Sequence, residues 1–158
     1  MIRTFLTTIA VLGAMAGMAH AQVTRTGAPT AAIAATATVP AGTDLIFLSG
    51  QLPSAVTPAT TPPSFGNTET QAESVFTKIA DLLKTQGLTE GDVVKMTVFL
   101  SKDPAKGAMD FAGMMAAYGR HYGTAAQPNK PTRSTVEVAN LVSAGAFIEV
   151  EVIAAKKK

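Results

Sequence analysis

Apolar and polar positions along the 158 residues change period several times, and each change marks an element. Leu45-Ile46-Phe47-Leu48 is a short apolar run between Asp44 and Ser49-Gly50-Gln51, the length and setting of a buried strand. Between Gln22 and Pro40 small residues are only weakly patterned, and Ala31 to Val39 is predicted to be an opening strand. Pro53, Pro58, Pro62 and Pro63 fall in the stretch from Pro53 to Gly66, which reads as a surface loop because proline donates no backbone hydrogen bond. Thr68-Glu69-Thr70-Gln71 has the spacing of a capping box. After it, Ala72, Val75, Phe76, Ile79, Leu82 and Leu83 recur every three or four residues, a helix with one apolar stripe that Gly87 stops. Val94, Met96, Val98 and Leu100 alternate with Lys95, Thr97 and Phe99, as in a strand. Phe111, Met114, Met115, Tyr118 and Tyr122 return to helical spacing and read as core packing rather than a cofactor site. Two closing strands, Arg133 to Leu141 and Ala146 to Ala154, are joined by a Ser143-Ala144-Gly145 turn. The order predicts an α+β domain with two helices packed on one face of a sheet.

Strand alternation then sorts side chains by face. Ser134, Val136 and Val138 share one face of the first closing strand, and Arg133, Thr135 and Glu137 the other. In the second, Ile148, Val150 and Val152 oppose Phe147, Glu149 and Glu151. With helices over the Val/Ile faces, the other sheet face is expected to gather an arginine, a threonine and three carboxylates. That set alone reads as readily as a solvated face with cross-strand ion pairs.

Composition narrows the picture at the N-terminus. Met1-Ile2-Arg3, an apolar run from Phe5 through Met18, and Ala19-His20-Ala21 have the parts of a signal peptide over 1–21, so the mature chain is expected to be 22–158 and exported, most simply to a periplasm. No second hydrophobic segment of spanning length follows, so no membrane association is expected after cleavage. Charged residues make up 15% of the chain and thirteen Lys+Arg face eleven Asp+Glu, far from the clustered positive field that nucleic acid demands. The mature segment has no cysteine and one histidine, His121, which leaves no zinc shell of His and Cys. His121 is explained by solvation at a helix end. The mature segment has no Gly-x-Ser-x-Gly to mark the serine of a triad, and it lacks Gly-x-Gly-x-x-Gly and a P-loop, so no nucleotide cofactor is indicated.

Two segments carry a resemblance to a known family. Leu48-Ser49-Gly50-Gln51-Leu52-Pro53 looks like the Ser-Gly-Gln turn of the RidA/YjgF/YER family of reactive-intermediate imine deaminases. Arg133-Ser134-Thr135-Val136-Glu137-Val138-Ala139 with Ile148-Glu149-Val150-Glu151-Val152-Ile153-Ala154 looks like its C-terminal signature. The spacing between them, including Gly91 to Leu100, also agrees, so the similarity covers roughly the whole mature chain. It implies a chorismate-mutase-like mixed sheet assembled as a homotrimer, with pockets between subunits and a 2-imino acid or related small carboxylate as ligand. By similarity Arg133 binds the carboxylate, Glu149 positions or activates water, Thr135 stands where well-known relatives have cysteine, and Ser49 and Gly50 line the pocket. The implied reaction hydrolyses 2-imino acids to 2-oxo acids and ammonia without a metal or organic cofactor. Two positions depart from the family: Thr36 falls where many relatives have a pocket tyrosine, and Met115 where they have an asparagine. A noncatalytic trimer of the same fold, binding small carboxylates or acting as a chaperone, is the alternative.

Overall fold

The computed structural model describes residues 22–56 and 64–157. The expected signal peptide and the middle of the proline-rich loop lie outside the described residues. Among them, β1 (Thr24–Thr26), β2 (Thr36–Thr38) and β3 (Asp44–Gln51) precede α1 (Thr68–Thr85). A 3-10 turn (Glu90–Asp92), β4 (Val93–Leu100), α2 (Phe111–His121), β5 (Thr132–Glu137) and β6 (Ile148–Lys156) follow. The four long strands form one mixed sheet in the order β3-β6-β4-β5, with β5 parallel to β4 and β6 antiparallel to both its neighbours. A parallel neighbour needs a crossover, and α2 supplies it between β4 and β5. No described helix is long and apolar enough to cross a membrane.

Both helices lie on one sheet face. Ala72, Val75, Phe76, Ile79 and Leu83 of α1 and Met114, Ala117 and Tyr118 of α2 are buried against Met96, Val98, Leu100, Ile148, Val150 and Val152. Each large apolar side chain so buried contributes roughly 1.5–3 kcal/mol. Leu82, expected in the stripe, lies on its shoulder and is exposed. The helix start also differs from expectation. Asn67 is the N-cap, its Oδ1 accepting from the Thr70 N–H at 2.9 Å, while the Gln71 amide turns inward to Gly66, Gly145 and Phe147. At the other end Gly87 adopts φ +71 and the Leu88 N–H reaches the Leu83 carbonyl, closing the helix as expected.

Three expectations fail on pairing. The opening region forms two short strands bonded to each other outside the main sheet, so Thr36 is taken up by a side-chain contact with Thr26 at 2.7 Å. The closing strands are not a hairpin, because β4 lies between β5 and β6 and the 138–147 connection passes over its end, with Val138 donating to Leu100 and Ser101 to Phe147. The third concerns faces. Met96 is opposite both Arg133 and Val152, and Val98 opposite both Thr135 and Val150, which puts Arg133, Thr135 and Glu137 on the helix-covered side. Glu149 is registered with Phe99 and Val136, and Glu151 with Thr97 and Ser134, on the bare side. The arginine and the Glu149 and Glu151 carboxylates therefore do not share a face. Parity misled because the bare face is itself partly apolar: Phe47 is 70% exposed there and Val136 42%.

Candidate functional site

Arg133 projects from β5, an edge strand, toward α2. Its guanidinium carbon lies 4.3 Å from the centroid of the Tyr118 ring and 5.9 Å from that of Phe111, within cation–π range of both. Nη2 donates to the Met115 thioether at 3.2 Å, a weak acceptor, and buried Nη1 has no hydrogen-bond partner among the described residues. No carboxylate pairs with Arg133 among the described residues. Two positions along the same face of β5, the Thr135 hydroxyl is also buried, with no hydrogen-bond partner among the described residues. Burial lowers the Arg133 pKa from its ordinary value, opposed by the Tyr118 phenol, and burial pushes the Tyr118 pKa up to about 12. Phenol and guanidinium therefore keep their neutral and cationic forms at neutral pH. An unpaired buried donor costs roughly 1–3 kcal/mol, and more when charged, so these two donors are suited to a ligand that accepts hydrogen bonds.

Phe111, Met115 and Tyr118 are spaced four and three apart on α2, which puts them on one helical stripe. That stripe was expected to be core throughout. Tyr118 is core, but Phe111 is 43% exposed and Met115 half-buried, and with Tyr118 they flank the arginine. The stripe spacing was visible in the sequence, whereas its meeting with Arg133 depends on the crossover that sets β5 beside α2.

On the bare face a second group gathers. The β3–β6 pairing shifts register between Leu48 and Gln51, so Ser49 and Gly50 occupy an irregularity opposite Glu151. The Glu149 side chain lies across Gly50, where an added Cβ would overlap Oε1 and stand 2.8 Å from the carboxyl carbon. Ser49, Phe47, Lys95, Thr97, Glu151 and Ile153 line a concavity of about 450 Å³ beside it. Of the residues expected in the site, Ser49, Gly50 and Glu149 come together here, and Arg133 and Thr135 come together on the other side of the sheet.

His121 is not merely solvated at a helix end. Its side chain is 13% exposed and lies between two carboxylates, Nδ1 to Glu90 at 2.7 Å and Nε2 to Glu73 at 3.0 Å. A neutral imidazole has one N–H, so satisfying both partners requires the imidazolium. The Glu90 hydrogen bond is the main cause of its raised pKa, with burial opposing. Among the described residues no group of three or more His, Cys, Asp or Glu is placed to hold a metal ion.

Residues 8–156 match the sequence profile of the family described as Endoribonuclease L-PSP. A RutC family protein of Haemophilus influenzae is 37% identical over 114 residues, 72% of this chain and 81% of the relative. TdcF of Escherichia coli K12, whose name marks it as a candidate reactive intermediate deaminase, is 31% identical over 112 residues, 71% of this chain and 79% of TdcF. The crystal structure of E. coli TdcF with bound serine superposes with a TM-score of 0.56 at 32% identity, covering 75% of this chain and 85% of that one.

Proposed function

Because the chain belongs to the RidA/YjgF family, we propose that it hydrolyses 2-imino acids to 2-oxo acids and ammonia at a site built between subunits of a homotrimer. The observation that carries this reading is Arg133, a half-buried cation that has, among the described residues, no carboxylate partner and an unpartnered hydroxyl beside it. A substrate carboxylate supplies what Arg133 lacks, and a planar fork of donors meets it in a bidentate pair. The serine held by TdcF, also an α-carboxylate, supports the ligand class. Endoribonuclease chemistry fits less well, because one arginine floored by Tyr118, Phe111 and Met115 is not a track for a phosphate backbone.

In the proposed reaction the carboxylate docks on Arg133, with the Thr135 hydroxyl as a further donor. Glu149 accepts a proton from water as the water oxygen adds to the C=N carbon. With the imine nitrogen protonated on entry, addition gives a neutral carbinolamine. Glu149 then returns the proton it took to the amine nitrogen, the carbinol O–H loses its proton to solvent as the C=O forms, and the C–N bond breaks to release ammonia. Within one chain Glu149 is on the wrong side of the sheet for this task, so the water-activating carboxylate comes from a neighbouring subunit. The exposed apolar positions of the bare face, Phe47 and Val136 among them, give that neighbour a surface to cover. A trimer that binds carboxylates without turnover is the second reading, favoured by the thioether of Met115 against Arg133 and by Thr36 being held by Thr26. Decay of 2-iminopropanoate or 2-iminobutanoate, released by an amino-acid oxidase, with and without the protein separates the two. Export of a chain that begins at Gln22 is part of the same proposal.

A further inference from the structure

The carbon and the terminal nitrogens of the Arg133 guanidinium have different surroundings. Its Cζ stands over the Tyr118 ring, 4.3 Å from the centroid, while among the described residues Nη2 donates only to a thioether and Nη1 has no hydrogen-bond partner. A ring face attracts a cation without consuming an N–H, whereas an acid in the same place would occupy the donors that a ligand needs. We infer that Tyr118 is a positioning residue, an aromatic shelf that fixes the Arg133 guanidinium while leaving its donors to the substrate carboxylate.

The shelf is itself anchored from three directions. The Tyr118 hydroxyl donates to the Ala32 carbonyl at 3.0 Å. Its ring stacks on Tyr122 with centroids 5.0 Å apart and meets Phe76 edge-on at 6.1 Å. A side chain held in this way cannot swing aside, so a long arginine on an edge strand is ordered before any ligand arrives, and binding does not have to supply that ordering. Tyr118 acts through Arg133 and does not itself meet the reacting atoms.

The inference rests on Arg133 as the carboxylate anchor, and its test keeps the two apart. Tyr118→Leu and Tyr118→Phe are made in the whole protein, with thermal melts to show folding. Calorimetry follows 2-oxobutanoate binding, and NMR follows the Arg133 Nε–H, assigned with Arg133→Ala. Tyr118→Leu is expected to weaken binding roughly three- to thirtyfold. It should also raise KM more than it lowers kcat and move the Arg133 resonance from its ring-shifted position. Tyr118→Phe retains the ring and should restore all three. A folded Tyr118→Leu that binds as the wild type does, or a Tyr118→Phe as weak as Tyr118→Leu, overturns the inference. Should Tyr118→Leu not fold, a Tyr118→Phe protein whose Arg133 resonance has left its wild-type position overturns it as well. If the wild type binds no 2-oxo acid while the resonance still answers to Tyr118→Leu, the anchor reading fails and the shelf stands.

Discussion

Arg133 and Glu149 lie on opposite faces of one sheet with β4 between their strands, the first registered with Met96 and the second with Phe99. A small substrate held by Arg133 is thus out of reach of Glu149 in the same chain. The proposed chemistry needs one group from each of two subunits, and that makes it testable by mixing. Arg133→Ala and Glu149→Gln should each be inactive alone. Trimers assembled from an equal mixture should recover roughly a quarter of the wild-type sites, those in which an intact arginine meets a neighbour's intact glutamate. Light scattering of the wild type should give three times the chain mass. A stable monomer, or mixtures as inactive as their parents, contradicts the shared site.

Gly50 offers a test of Glu149 that leaves the acid in place. Its backbone needs no positive φ, so Gly50→Ala carries no conformational strain and acts through the overlap with the carboxylate. Overpacking of this kind costs roughly 1–3 kcal/mol or displaces the intruding side chain. The expected outcome is a kcat reduced at least about tenfold by displacement of the Glu149 carboxylate. Binding of 2-oxobutanoate, which depends on Arg133, should stay within a few-fold of wild type.

His121 makes stability depend on pH in a stated direction. Its pKa is raised in the fold, so its ion pairs with Glu90 and Glu73 stabilise fully below the unfolded-state value of about 6.5 and are lost as pH rises through the higher folded value. Because Glu73 is partly exposed, the effect should be on the order of 1 kcal/mol. Denaturant melts of the wild type and His121→Gln should differ most near pH 6 and converge as the imidazolium deprotonates. NMR titration of His121 should give a pKa above 6.5, and a value at or below it would remove the basis for the effect.

Processing is tested at the N-terminus. Mass analysis of the protein recovered from the exported fraction should show Gln22 first, and an intact Met1 on a membrane-bound chain would overturn the proposed leader.

Much of the fold was legible because each long element carries a single strong period. The stripe through Val75, Phe76 and Ile79 could face only a core, and the alternation of Met96, Val98 and Leu100 with Lys95, Thr97 and Phe99 has the period of a strand. What the pattern could not convey was pairing. Arg133 to Leu141 and Ala146 to Ala154 have the look of a hairpin, yet the parallel crossover through α2 places β4 between the observed strands β5 and β6, and nothing local to Ser143-Ala144-Gly145 signals it. The site followed the same division. Arg133, Glu149, Ser49 and Gly50 were expected together from a family resemblance, and of these Glu149 lies on Gly50. Their split between two faces depended on register, because Val136 points outward where hydrophobicity alone would turn it inward. His121 was misjudged for a related reason: Glu73 and Glu90 are remote from it in sequence and reach it only through helix packing.

The most direct test of the account is the decay of 2-iminobutanoate, generated in place by an amino-acid oxidase, followed with wild-type protein, with Arg133→Ala and with none. Loss of a buried charge-assisted contact costs on the order of 2–5 kcal/mol, more than tenfold in rate. The wild type should therefore accelerate decay well above the spontaneous rate, and Arg133→Ala should fall back toward it while remaining folded. A wild type that leaves the spontaneous rate unchanged, or an Arg133→Ala protein as active as the wild type, would contradict the assignment of this chain as an imine hydrolase anchored on Arg133.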